Sequence, residues 1–122
     1  MPRENKNPPM EGREKALLIA GFAADKKAAD VVVLEMEGLT SFTDYFVICS
    51  GTSATHVKTI SDHIIEGLRA RGIKPMGVEG AAGRQWVLID CGDVVVHIFE
   101  AETRAFYELE RLWLDAPRLT LP

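Results

Sequence analysis

The run Arg84-Gln-Trp-Val-Leu-Ile-Asp-Cys-Gly-Asp-Val-Val-Val-His-Ile-Phe99 constrains this chain most tightly. Two short, strand-forming runs flank a glycine, which is the pattern of a β-hairpin. With Cys91-Gly92 as a two-residue turn, Asp90 faces Asp93 and Trp86 faces His97. Alternation along the strands then sorts the side chains onto two faces. One face takes Gln85, Val87, Ile89, Val94, Val96 and Ile98 and reads as core. The other takes Arg84, Trp86, Leu88, Asp90, Asp93, Val95, His97 and Phe99. Aromatics at alternate strand positions are commonly core, and a terminal helix could cover Trp86. Its charged neighbours belong to residue types seldom buried unless paired, so this face reads as a surface that meets a partner.

The rest of the chain supplies the frame for that hairpin. Residues 1–12 are polar and proline-rich and are expected to form a disordered tail. From about Arg13 to Ala29, Leu17, Leu18, Ala20 and Ala24 recur at helical spacings. Val31–Met36 is a β-branched run and predicts a first strand. Asp44–Ser50, almost all apolar, predicts a second and central one. Ser53 is suited to cap a helix that carries Val57, Ile60, Ile64 and Leu68 on one stripe, with Gly72 as its stop. Residues 75–83 read as a glycine-rich loop. Ala101–Leu114 predicts a last helix with Phe106, Leu109, Leu112 and Trp113 on its apolar side, and residues 118–122 form a tail. The expected fold is α+β: a layered domain, residues 13–117, with a mixed β-sheet of four to five strands and three helices.

No catalytic constellation emerges. The strand–Gly51-Thr52-Ser53–helix junction could aim backbone N–H groups at a phosphate. Nucleotidyl transfer there would also need neighbouring carboxylates to hold metal ions. Only Asp90 and Asp93 are candidates, and both flank a turn, where Asp is expected for turn chemistry alone. His56, His63 and His97 lack metal-site spacing, and neither cysteine nor any serine has a nucleophile motif around it. Gly80-Ala-Ala-Gly83 formally matches a nucleic-acid-binding G-x-x-G loop but leads into a strand and carries no basic residue. The expectation is a non-enzyme with no cofactor and no metal.

At 122 residues the chain is long enough for one core without staples. Its net charge of −4 argues against direct nucleic-acid binding and suits a basic protein partner. Two widely separated cysteines, no apolar run long enough for a membrane and no signal-peptide core point to a cytoplasmic chain.

Seven motifs occur in order: Ser41-Phe-Thr-Asp-Tyr-Phe-Val-Ile48, Ser50-Gly-Thr-Ser53 with His56-Val57, Gly77-Val-Glu-Gly80, Trp86-Val87, Gly92-Asp-Val-Val-Val-His97 and Phe106-Tyr-Glu-Leu-Glu-Arg-Leu-Trp113. Together they resemble the ribosomal silencing factor (RsfS, Iojap) family from about Leu17 to Pro117. The loop before the hairpin departs from it, with Ala81-Ala82 where a more polar segment is usual. The resemblance implies a nucleotidyltransferase-like fold without catalytic carboxylates. It also implies binding to large ribosomal subunit protein fourteen and steric blocking of subunit joining, which represses translation under nutrient limitation. Organellar relatives act in large-subunit assembly, and some members form homodimers. The expected partner-binding residues are Glu79, Trp86, Leu88, Asp90, Asp93 and His97. Alternatives are a nucleotide-binding enzyme at Gly51–Ser53 and a homodimeric assembly scaffold.

Overall fold

The structure, a computed structural model, describes residues 11–80, 85–102 and 116–121. Its elements run α1 (Gly12–Asp25), β1 (Ala29–Glu35), β2 (Tyr45–Gly51), α2 (Ala54–Ala70), β3 (Gly77–Glu79), β4 (Trp86–Asp90) and β5 (Val94–Glu100). The five strands form one sheet in the order β1-β2-β5-β4-β3. Only β2 and β5 pair in parallel; the other neighbours are antiparallel. These two central strands are the most continuously apolar in the sequence, because both of their faces are buried. The fold is α+β with a mixed sheet, as expected. Two helices are complete among the described residues rather than three. Of the expected Ala101–Leu114 helix only Ala101 and Glu102 are described, both helical; the rest of that span lies outside the described residues, as does most of the 1–12 segment.

Both complete helices lie on one face of the sheet. Val57, Ile60, Ile64 and Leu68 of α2 are buried there, on the expected stripe. Ser53 caps the helix, its Oγ accepting the His56 N–H at 3.1 Å, and Gly72 stops it at a φ of +75°. In α1 the buried stripe is Ala16, Ile19, Ala20 and Ala23; of the expected line through Leu17, Leu18, Ala20 and Ala24, Ala20 is buried, Leu17 and Leu18 are half-buried and Ala24 is exposed. Small side chains let the helix sit close to the sheet, and the larger residues move to its flanks. One of these, Phe22, lies against Gly67 of α2, where an added Cβ would come within 2.6 Å of the ring. The helix ends at Asp25, and the backbone turns left-handed just beyond it at Lys27 (φ 61°).

The hairpin register differs from expectation by two residues. The turn is Gly92-Asp93, with Gly92 at a φ of +84° and the Cys91 N–H donating to Val94 O at 2.9 Å. Trp86 therefore faces Phe99, and His97 faces Leu88. The Asp90 carboxylate accepts the Gly92 N–H at 2.8 Å, and Cys91 stays in line with the ladder instead of entering the turn. A slip of two residues leaves every side chain on its assigned face. Val87, Ile89, Val94, Val96 and Ile98 accordingly pack beneath the helices.

Two segments expected to be irregular join the sheet. Gly77–Glu79 adds an edge strand to β4, preceded by a Met76 N–H bond to Asp90 O of 2.7 Å. At the other edge, Arg118 bridges to Leu34, and Leu119 is buried in the helix-side core rather than trailing as a tail.

Candidate partner surface

Directly opposed residues on neighbouring strands share a face. One row across the face opposite α1 and α2 reads Val32, Ile48, His97, Leu88 and Glu79. Ile48 is fully buried and His97 nearly so, Leu88 is half-buried and Glu79 is exposed. The adjacent row carries Ser50, Phe99 and Trp86, again running from buried to half-buried. The face is thus closed over β2 and β5 and opens toward β4 and β3. Leu34, Met36, Phe46, Val95 and Ala116 complete its buried part.

Trp86 is held from two directions. Its ring stacks on Phe99, centroids 4.8 Å apart and planes 28° apart. Its Nε1–H donates to Nδ1 of His97 at 3.2 Å. Phe46 meets the His97 ring edge to face at 4.7 Å. Burial lowers the His97 pKa from 6.5 to about 4, so the ring is neutral at neutral pH. At 5% exposure His97 has no surface to offer a partner and supports the site from below.

The three carboxylates named from sequence do not form one cluster. Glu79 is exposed on the edge strand beside Leu88. Asp90 is half-buried and engaged with the turn through Gly92. Asp93 is tied to Lys15 of α1 by a 2.7 Å ion pair. That tether gives Asp93 a structural task that its sequence position did not reveal, since Lys15 is 78 residues away.

Elsewhere the groups weighed for chemistry are otherwise engaged. At the Gly51–Ser53 junction the Thr52 N–H donates to His56 Nδ1 at 2.8 Å, and the His56 N–H is taken by Ser53. His56 Nε2 lies 2.7 Å from Lys26 O, joining the two helices. Gly51 is required there, because a Cβ would fall 2.9 Å from the Val57 nitrogen. His63 contacts Asp25 at 3.2 Å. Cys49 and Cys91 are buried free thiols, and burial pushes the Cys91 pKa up to about 11. Among the described residues no group of three or more His, Cys, Asp or Glu side chains could hold a metal ion. No helix among them is long and apolar enough to cross a membrane.

The edge at β3 adds residues that the sequence reading passed over. Met76 is 74% exposed and Val78 39%. Their flanking glycines favoured a loop, and the only counter-signal was the alternation of Met76, Val78 and Gly80.

Residues 9–122 match the family described as ribosomal silencing factor during starvation. The chain is 42% identical over 112 residues to ribosomal silencing factor RsfS of Halalkalibacterium halodurans, covering 92% of this chain and 96% of that one. It is 43% identical over 106 residues to the Bacillus subtilis protein of the same name, covering 85% and 90%. A crystal structure from Chromobacterium violaceum superposes with a TM-score of 0.83 at 34% identity, covering 85% of this chain and 87% of that one. Fold and likeness together define the class, a small α+β protein like those named ribosomal silencing factors. Within that class, the chain belongs to the ribosomal silencing factor family.

Proposed function

We propose that the protein silences translation by seating the β4–β3 end of the sheet face opposite α1 and α2 on large ribosomal subunit protein fourteen, so that its bulk keeps the small subunit from joining. The observation that carries this reading is Trp86, half-buried, stacked and hydrogen-bonded at the margin where the face opens. Tryptophan in such a setting is a frequent interface anchor. Leu88 extends the apolar strip, and exposed Glu79 with Asp90 gives its rim an acidic character suited to a basic ribosomal protein. A standard interface covers roughly 800 Å² per partner, which a domain of this size can supply. The mechanism is steric and needs no catalysis, in keeping with a nucleotidyltransferase-like frame that has lost its carboxylates. Its place of action is the cytoplasm.

The test is a subunit-joining assay with purified large and small subunits. Added protein is expected to reduce formation of the joined ribosome, and an equal amount of Trp86→Ala is expected to leave joining close to the untreated level. Unchanged joining in the presence of excess wild-type protein would end the proposal. A homodimer is the second reading, favoured by the exposed Met76 and Val78 beside the edge strand β3. If Val78→Lys abolishes a dimer seen by light scattering but preserves ribosome binding, the two surfaces are separate.

A further inference from the structure

We propose that His97 is a positioning residue for Trp86, selecting the orientation in which the indole meets a partner; this rests on the reading of Trp86 as the anchor. The argument begins with the proton. Trp86 Nε1 can only donate, so Nδ1 of His97 is the acceptor in their 3.2 Å bond. In the neutral ring the remaining proton then sits on Nε2. That nitrogen is buried and has no hydrogen-bond partner among the described residues. A buried donor left unmade is unfavourable, and an apolar ring of the same size would avoid the penalty. The neighbourhood already accommodates such rings, since Phe46 and Phe99 pack around this position. Packing alone therefore gives no reason for histidine. The acceptor at Nδ1 does.

The bond supplies what the stack lacks. Stacking on Phe99 sets the plane of the indole but tolerates sliding and a flip within that plane. The Nε1–H to Nδ1 bond chooses the inward edge, so the opposite edge faces outward. Fixing a side chain before binding lowers the ordering cost at the interface. His97 sits two residue pairs further along the hairpin from Trp86, on the same face, a diagonal that aromatic side chains can bridge.

Two substitutions separate positioning from packing. His97→Phe keeps the ring and removes the acceptor. His97→Asn loses ring volume but places an amide oxygen near the Nδ1 position. His97→Phe is expected to be at least as stable as wild type, yet to bind large ribosomal subunit protein fourteen about tenfold more weakly. Its Trp86 indole proton, assigned against Trp86→Phe, is expected to shift and to exchange faster with water. His97→Asn is expected to melt earlier but to bind within about threefold of wild type. Binding that simply follows stability across the pair would overturn the proposal. So would an unmoved indole signal in His97→Phe. Nitrogen NMR of the wild-type ring tests the premise without any substitution: a proton on Nε2 is expected, and a proton on Nδ1 would refute it. If Trp86→Ala binds normally, the partner reading fails, while the indole and tautomer results still judge the positioning.

Discussion

The face of this sheet under α1 and α2 and the face opposite them are built from the same strands, yet they use side chains differently. Beneath the helices, Val33, Val47, Val96, Ile89 and Ile98 are aliphatic and at most 2% exposed, as are the α2 residues that meet them. Across the sheet, Phe46, His97, Phe99 and Trp86 form a cluster of rings that grades from fully buried to half-exposed. Aliphatic close packing gives one tight, featureless solution. Rings with a polar atom give direction, because the Trp86–His97 bond has a geometry that can be met or missed. On the proposed reading, stability is concentrated in the first face and recognition in the second.

Substitutions can break that division or sharpen it. The largest effect is expected from Ile98→Ala under the helices, which should lower unfolding free energy by about 2–5 kcal/mol in a denaturant titration. Its residual folded fraction should bind ribosomes normally; a specific binding defect would blur the two faces. Acid is next. The His97 pKa falls from 6.5 in the unfolded chain to about 4 in the native state. Its contribution is fully present above pH 6.5 and is lost as pH falls toward 4, about 3 kcal/mol in all. Urea titrations across that range should show the loss in wild type and its absence in His97→Phe. The smallest effects are expected at two ion pairs, one at the hairpin turn and one on α2. Asp93→Asn, removing the partly buried pair with Lys15, should cost about 1 kcal/mol. Asp62→Asn, in the exposed pair with Lys58, should cost at most a few tenths of a kcal/mol.

Much of this was legible in the chain because strands alternate with a strict period of two. The turn was placed one residue early and the pairing two residues off, yet Val87, Ile89, Val94, Val96 and Ile98 still fell on the core face. Ser53, Gly72 and the α2 stripe were equally local signals. What escaped depended on distant neighbours. The close seat of α1 on alanines follows from the sheet beneath it, not from its own hydrophobic pattern. Asp93 looked available because Lys15 is far away in sequence. His97 was assigned to the correct face but to contact rather than support, since burial depends on what closes over β5. The edge strand at Val78 needed β4 to exist before its alternation meant anything.

The most direct measurement is the affinity of purified large ribosomal subunit protein fourteen for wild type and for Trp86→Ala, with folding of both checked by circular dichroism. A folded variant that binds at least thirtyfold more weakly, or about 2 kcal/mol, is the predicted result. Equal affinity would show that the open face is not where this partner docks.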